Sequence, residues 1–111
     1  MQNFHEDKLW QASYVALMDI HEVLDGAGEA DEDIAQGLLS AGKDVASKIA
    51  DGLSRMDHRI GRNLIYDAIG LVAITRTQLA LAWGRGILTD EVFKKLDDQY
   101  ASLSSSLQSY K

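Results

Sequence analysis

Three histidines are the natural candidates for catalysis or metal binding in this chain, which contains no cysteine. His21 lies on an apolar helical stripe with Asp25 four residues later, so both side chains would reach one ligand on the same face. Di-metal carboxylate bundles need a Glu-x-x-His pair on each of two helices, and the sequence has no such pair. The pattern predicts no metal and no cofactor. A small metal- or His21-dependent enzyme is kept only as a third hypothesis.

Nucleophilic catalysis would need a base beside a serine or threonine, oriented by a third group. Ser102 and the run 104–106 fall in the last helical segment, with no histidine nearby in sequence. The phosphate-binding loop G-x-x-x-x-G-K-[ST] and the dinucleotide fingerprint are both absent. The Gly-Arg-Gly run at 84–86 is interpreted as a helix-terminating loop. We predict no catalytic residues and a protein that is not an enzyme.

A basic cluster stands near the junction of the second and third helical segments, formed by Lys48, Arg55, His58, Arg59 and Arg62. If the segment is continuously helical, its three arginines share one face and would form a compact basic corner. Such a corner suits contact with phosphate, or with an acidic surface on a partner or a neighbouring subunit. The alternative is a solvated corner with local pairs to Asp51 and Asp57, and this simpler alternative is preferred.

Net charge limits the partners that this chain would bind. Its 111 residues are 46% hydrophobic and 25% charged, with a formal net charge of −6, which fits a single globular domain. Six acids and no lysine or arginine lie between Glu22 and Asp33. A negative protein is disfavoured for tight, sequence-independent binding to nucleic acid, because lysine and arginine supply most of that affinity.

Composition also bears on the compartment. The absence of cysteine excludes disulfides and favours a cytosolic location. The first residues show no basic region followed by an apolar run, and no stretch of about 18 uninterrupted apolar residues occurs. We expect a cytoplasmic protein without a membrane span.

Apolar periodicity predicts four helices, at about residues 6–24, 31–55, 57–84 and 89–110. The first two stripes comprise Trp10, Tyr14, Leu17, His21, Leu24 and Ile34, Leu38, Ala41, Val45, Ile49, Gly52. The last two comprise Ile65, Ala68, Val72, Thr75, Leu79, Ala82 and Phe93, Leu96, Tyr100, Leu103, Leu107, Tyr110. Gly26 and Gly28 are expected to end the first helix, and Asp57 and Thr89 to cap the last two. With no period-2 run, the fold class is all-α, an antiparallel up-down four-helix bundle.

The third helix carries more apolar surface than its own bundle should cover. Side chains outside its core stripe add apolar area on other faces, notably Leu64, Ile69, Leu71, Ile74 and Trp83. A helix that is apolar nearly all round is buried nearly all round. We therefore predict that these five residues form an interface with another subunit.

Three segments of the chain resemble the bacterial four helix bundle proteins, described as ribosomal-protein-like or as encoded in intervening sequences of large-subunit ribosomal RNA genes. These segments are LWQASYVALMDIHEVL, IAQGLLSAGKDVASKIADGLSR and LIYDAIGLVAITRTQLALAWGRGILTDEVFKKL. Residues 49–52 read Ile-Ala-Asp-Gly where the family usually has Ile-Ala-Glu-Gly. Further residues at the family's usual positions are Tyr66, Ala68, Gly70, Thr77, Gln78, Leu79, Gly86 and Leu88. The resemblance runs from Phe4 to about Tyr110.

The resemblance implies a homo-oligomeric ring, typically a homopentamer, with no catalytic residues to carry over. A related bundle, the accessory variability protein of diversity-generating retroelements, is a pentameric barrel that binds a reverse transcriptase and nucleic acid. The leading hypothesis is therefore a module that assists a ribonucleoprotein or reverse transcriptase, with RNA or DNA contacted by a basic rim. The alternative is a protein–protein adaptor with no nucleic-acid role, using the third helix or the acidic segment. Where the family is commonly acidic, this chain has Ile74 and Arg76, and Ile74 would enlarge the apolar interface.

Overall fold

A computed structural model describes residues 3–26 and 31–111. A short 3₁₀ helix, Phe4–Glu6, precedes four α-helices: α1 (Lys8–Leu24), α2 (Glu32–Ser54), α3 (His58–Gly84) and α4 (Asp90–Gln108). Within the described ranges no strand occurs. Gly28, predicted as a helix terminator, lies outside the described residues, as does the centre of the acidic segment.

The helix boundaries differ from the predicted ones by at most two residues. The largest difference at a helix start is in α1, because Asp7 rather than an earlier residue is its cap. The Asp7 carboxylate accepts a hydrogen bond from the Leu9 backbone N–H at 2.8 Å. The preceding residues Phe4–Glu6 then form a separate 3₁₀ turn.

Side-chain caps begin the last two helices as predicted. The Asp57 carboxylate accepts from two backbone N–H groups in the first turn of α3. Thr89 accepts from the Val92 N–H at 3.2 Å, with Asp90 and Glu91 in the first turn of α4. Both caps satisfy N–H groups that lack a partner within the helix, and the acids complement its dipole.

The α3–α4 connection confirms the predicted termination at residues 84–86. Gly86 has φ of +79°, a left-handed conformation that suits glycine. Its N–H donates to the Trp83 carbonyl at 3.0 Å, and the Ile87 N–H donates to the Ala82 carbonyl at 2.9 Å. These two bonds are the Schellman pattern, which satisfies free carbonyls at the end of α3.

Each helix packs against two others. Helices α1 and α3 both contact α2 and α4, whereas the pairs α1–α3 and α2–α4 do not approach each other in the described ranges. This square arrangement confirms the antiparallel up-down bundle, and it makes α1 run in the same direction as α3. The described residues measure 44 × 21 × 19 Å along their principal axes.

Three of the four predicted core stripes are buried as expected. All six α3 stripe residues are buried, and so are those of α2 and α4 except for the half-buried stripe ends Ile34, Phe93 and Tyr110. The α1 prediction was partly wrong. Tyr14 is 44% exposed, and the buried residues of α1 are Ser13, Ala16, Leu17, Ile20 and Leu24. Small Ser13 and Ala16 fit the narrow space between neighbouring helices, and the bulky aromatics lie at its edge.

Helix α3 is the one described helix that is long and apolar enough to span a membrane by length and composition alone. Its core-facing stripe is buried between α2 and α4, and Arg76 forms an ion pair with α4. The helix is thus part of a compact bundle, which is consistent with a soluble protein. Its remaining apolar surface needs a separate explanation.

Candidate functional site

The outward face of α3 is an uncharged, partly apolar surface. Ile74 and Leu81 are 53% and 47% exposed, and Gly70 and Thr77 are exposed on the same side of the helix. Between Asp67 and Arg85 the only charged residue is Arg76, which is turned towards α4 by its ion pair. We call this surface, from Gly70 to Leu81, the α3 face.

The five residues predicted as an interface do not form one surface. Ile74 is the most exposed of them and lies on the α3 face. Ile69 and Leu71 instead pack partly against the bundle core, and Leu64 is half-buried. Leu81, outside the predicted set, belongs to the face. Solvent exposure depends on which way the helix is rotated in the bundle, and the near-continuous apolar sequence does not encode that rotation clearly.

Trp83, also predicted at the interface, makes contacts within its own bundle although its side chain is 43% exposed. Its ring stacks on Phe93 with centroids 4.7 Å apart. Its indole N–H donates to an Asp90 carboxylate oxygen at 2.7 Å. The residue therefore ties the end of α3 to the start of α4.

A second exposed apolar surface lies on α1 and was missed by sequence reasoning. Val15 and Met18 are 52% and 46% exposed, and neither belongs to the predicted α1 stripe. An open groove of about 790 Å³ between α1 and α4 borders this surface and is lined by Val15, Gln11 and Ala12 of α1. We call the surface around Val15 and Met18 the α1 face.

Glycines distinguish the inner surfaces of the bundle from its outer ones. Added Cβ atoms at Gly52 and Gly61 would lie 2.8 Å and 2.5 Å from the other glycine's carbonyl oxygen, and one at Gly42 would lie 3.1 Å from Leu17. These glycines allow close helix packing inside the bundle. Gly70, in the middle of α3, would meet nothing within 4 Å, although glycine there costs about 1 kcal/mol relative to alanine.

Arg55, in the predicted basic cluster, is engaged by a local acid. Its guanidinium donates to the Asp51 carboxylate at 2.8 Å, one turn earlier on α2. This hydrogen bond holds the pKa of Asp51 below its ordinary value and raises the pKa of Arg55. Both side chains are about half exposed, so water screens the pair. Arg55 is the solvated, locally paired corner residue that the simpler alternative described.

His58 and the neighbouring α3 residues surround the end of α4. The His58 Nε2 atom lies 2.8 Å from the main-chain oxygen of Lys111, and the Tyr66 hydroxyl donates to the main-chain oxygen of Tyr110 at 2.7 Å. In the ranges that the structure describes, neither Arg59 nor Arg62 belongs to an ion pair. Among the three arginines of the cluster, these two stay available to a partner in the described structure.

Lys48 lies apart from those arginines. It lines a groove between α2 and α3 together with Leu71 and Asp51. Arg62 precedes Arg76 by fourteen residues and so shares its side of α3, the side whose Arg76 bonds Asp97 of α4. The structure therefore divides the predicted cluster between two sides of α3.

The histidines and carboxylates do not converge. Among residues 3–26 and 31–111, no group of three or more His, Asp or Glu side chains is placed to hold a metal ion. His5 instead packs against Phe4 and Trp10, with ring centroids 4.1 Å and 4.8 Å away, and Trp10 stacks on Tyr14 at 5.0 Å. These rings form an aromatic cluster beside α2.

Negative charge is concentrated at one end of the bundle. The end where α2 and α4 begin carries Glu22, Asp25, Asp31, Glu32, Asp33, Asp90 and Glu91. The described basic residues nearest to them are Arg85, His21 in the last turn of α1, and Lys94 and Lys95 one turn into α4. The opposite end holds the arginines of the basic cluster, so the two ends present different charges to a partner.

One buried hydroxyl has no partner. Tyr100 is fully buried in α4, and no hydrogen bond to its hydroxyl is present in the described structure. Burial raises the pKa of Tyr100 well above its ordinary value, and the nearby charge of Asp19 adds to the effect. The hydroxyl would lie 3.2 Å from a Cβ at Gly42, and is therefore enclosed by α2 and α4 rather than open to a substrate.

Comparison with known proteins adds no family to this description. No family model matches the chain, and no curated protein matches it. The fold and the surfaces described above therefore carry the functional interpretation.

Proposed function

We propose that this protein is a non-enzymatic, homo-oligomeric helical-bundle module that works by binding other macromolecules. The observation that carries the proposal is the α3 face, where Ile74 and Leu81 are about half exposed and no charged side chain lies between them on that side of the helix. Contiguous apolar surface of this kind marks interaction sites on soluble proteins. Gly70 supports the same conclusion, because an exposed glycine in mid-helix would let another helix approach closely.

Assembly through this face is tested by Ile74→Glu, which would bury a charge in the interface. The wild-type protein is expected to have a multiple of its chain mass in light scattering, and the variant to have the mass of a single chain. Ser47→Glu, on the exposed polar side of α2, is the matched control and should leave the assembly intact. Far-UV circular dichroism should show equal helicity for all three proteins. A wild-type monomer at about 100 µM would overturn the proposal.

The resemblance to pentameric bundles supports a ring of five chains. Native mass spectrometry of the wild-type assembly gives the number of chains directly. A dimer or tetramer would contradict the proposed ring of five chains but not the interaction role.

We propose further that the assembly assists a ribonucleoprotein or a reverse transcriptase, touching RNA or DNA through Arg59 and Arg62. Support comes from the absence of ion pairs on these two arginines in the described ranges and from the family resemblance. Repetition around a ring would gather such corners on one rim and raise avidity. The net charge of −6 implies weak, strongly salt-dependent binding.

Gel-shift assays with single-stranded RNA and DNA at low salt test this role. Arg59→Ser/Arg62→Ser should weaken binding at least tenfold, whereas Lys94→Ser/Lys95→Ser, the same charge change on α4, should not. Equal effects of the two variants would indicate a nonspecific charge effect and would contradict nucleic-acid binding through the basic rim.

The alternative function is a protein-binding adaptor. It is favoured by the seven acids at one end of the bundle, which suit a basic protein partner better than nucleic acid. A partner whose binding survives both nuclease treatment and replacement of Arg55, Arg59 and Arg62 by serine would establish it.

A further inference from the structure

Two outward faces of the bundle have the spacing of helix-packing seams. On α3 the seam consists of Asp67, Gly70, Ile74, Thr77, Leu81 and Arg85. On α1 it consists of Lys8, Gln11, Val15, Met18, Glu22 and Asp25. The α1 seam follows alternating steps of three and four residues, and the α3 seam does so as far as Leu81, with Arg85 four residues further on. Such spacing aligns side chains along one side of a helix for contact with another. The middle of each seam is uncharged, and the charges lie at its ends. The apolar side chains in the middle, Ile74 and Leu81 on α3 and Val15 and Met18 on α1, are about half exposed.

The seams lie on opposite sides of the molecule and run in the same direction. Helices α1 and α3 occupy diagonal corners of the square and make no contact with each other. Their outward faces therefore point away from each other. One copy thus offers two different apolar surfaces, which a second copy and a third copy could cover from either side.

The end charges decide how the two seams fit together. The α3 seam begins at acidic Asp67 and ends at basic Arg85, whereas the α1 seam begins at basic Lys8 and ends at acidic Asp25. The end residues are eighteen positions apart on α3 and seventeen apart on α1, so both ends match at once in a parallel arrangement. An antiparallel arrangement would set Lys8 beside Arg85, and like charges in contact are unfavourable.

All four end residues are exposed, and within the described ranges none of them forms an ion pair. They are therefore available for pairing between copies. Two copies related by rotation about an axis along the bundle keep their helices parallel, because α1 and α3 already run in the same direction in one copy.

We infer that the occupant of the α3 face is the α1 face of a second copy, packed in parallel with Ile74 beside Val15, Asp67 near Lys8 and Arg85 near Asp25. The inference rests on the proposed homo-oligomer and specifies that its contact is heterologous, with α3 of one copy against α1 of the next, rather than α3 against α3. Each added copy then leaves one free face of each kind until the ring closes. Gly70 falls opposite Gln11 in this register and gives the longer side chain room.

Mixing two assembly-deficient variants tests the inference. Ile74→Glu blocks the α3 face and Val15→Glu blocks the α1 face. Alone, each variant should be monomeric in light scattering. Mixed, they should form a one-to-one complex, because Ile74→Glu keeps an intact α1 face and Val15→Glu keeps an intact α3 face. Both replaced side chains are about half exposed, and Met18→Glu is the second α1 variant if Val15→Glu loses helicity in circular dichroism.

The outcomes separate the inference from the function on which it rests. A wild-type monomer would overturn both. An assembled Val15→Glu and an assembled Met18→Glu, together with a monomeric Ile74→Glu, would leave the oligomer intact but place α3 against α3, and so overturn the inference alone. The same holds if the mixed variants stay monomeric while the wild type assembles.

Charge reversal tests the parallel register. Lys8→Asp should weaken assembly about fivefold in sedimentation at low salt, and adding Asp67→Lys to the same chain should restore it. In an antiparallel contact Lys8→Asp would lie near Arg85 and strengthen assembly, which would overturn the register. Lys43→Asp, at an exposed lysine on α2, is the matched control and should change little.

Discussion

At the contact between α2 and α3, two glycines set the distance between the helices. A Cβ atom at Gly61 would lie 2.5 Å from the Gly52 carbonyl oxygen, and one at Gly52 would lie 2.8 Å from the Gly61 oxygen. Real Cβ atoms do not approach a backbone oxygen so closely, and backbone cannot move aside as a flexible side chain can. Gly52 was predicted from its stripe position, whereas Gly61 carried no signal of its own.

Gly61→Ala is expected to lower the free energy of unfolding by about 2 kcal/mol, because the helices must separate to admit the methyl group. Chemical denaturation followed by circular dichroism measures the change. Gly84→Ala is the control, because a Cβ there meets nothing within 4 Å, and it should be neutral or slightly stabilising. Equal stability of Gly61→Ala and wild type would show that this contact does not hold the helices together.

Tyr100 is fully buried, although its side chain carries a polar hydroxyl group. Its hydroxyl lacks a hydrogen-bond partner in the described structure, a state that costs about 1–3 kcal/mol. Tyr100→Phe should therefore leave the protein equally stable or more stable. Tyr66→Phe is the contrasting variant, because it removes the 2.7 Å bond to the Tyr110 oxygen and should cost about 1 kcal/mol.

The same tyrosine makes stability depend on pH in the alkaline range. Burial raises the pKa of Tyr100 in the folded protein above the ordinary tyrosine value, so above about pH 10 the unfolded chain releases a proton that the folded chain keeps. Stability should then fall with rising pH by up to about 1.4 kcal/mol per unit. Denaturation at several pH values between about 9 and 11 should show a steeper fall for wild type than for Tyr100→Phe. Parallel curves would contradict a buried neutral hydroxyl.

Between elements, α3 and α4 are joined by a two-pronged ion pair. The Arg76 guanidinium donates to both carboxylate oxygens of Asp97, at 2.7 Å and 3.0 Å. The side chains of Arg76 and Asp97 are 42% and 22% exposed, so the ion pair is only partly shielded from water. In the sequence, Arg76 stood out only as a departure from an acidic family position, and its partner twenty-one residues away was not evident.

A double-mutant cycle with Arg76→Ala and Asp97→Ala should give a coupling energy of about 1 kcal/mol, because bidentate geometry and partial burial exceed the usual surface pair. Unfolding free energies of the four proteins supply the value. The control cycle uses Lys94 and Asp98, whose side chains are 77% and 64% exposed, and about 0.3 kcal/mol is expected there. Coupling no larger than that of the control would show that solvent screens both pairs equally.

The whole molecule should unfold as one unit, because a single core cluster draws residues from all four helices. The two tryptophans report on its opposite ends: Trp10 stacks on Tyr14 near the start of α1, and Trp83 stacks on Phe93 near the end of α3. Fluorescence of Trp10→Phe and of Trp83→Phe isolates each reporter in turn. Both denaturation curves should coincide with circular dichroism of the same variant at the same protein concentration. Separate midpoints within one variant would mean that the ends unfold independently.

The four helices, the caps of α3 and α4 and most of the inward stripes were predictable from the sequence, because they depend on local periodicity and on neighbours along the chain. Only the tertiary structure decided the rotation of α1, the division of Lys48 from Arg62, and the partner of Arg76. It also decided which apolar residues of α3 stay exposed, so that Ile74 and Leu81 form a face while others join the core. Each of these depends on contacts between residues far apart in the chain, and hydrophobic periodicity is too degenerate in a nearly all-apolar helix to choose among them.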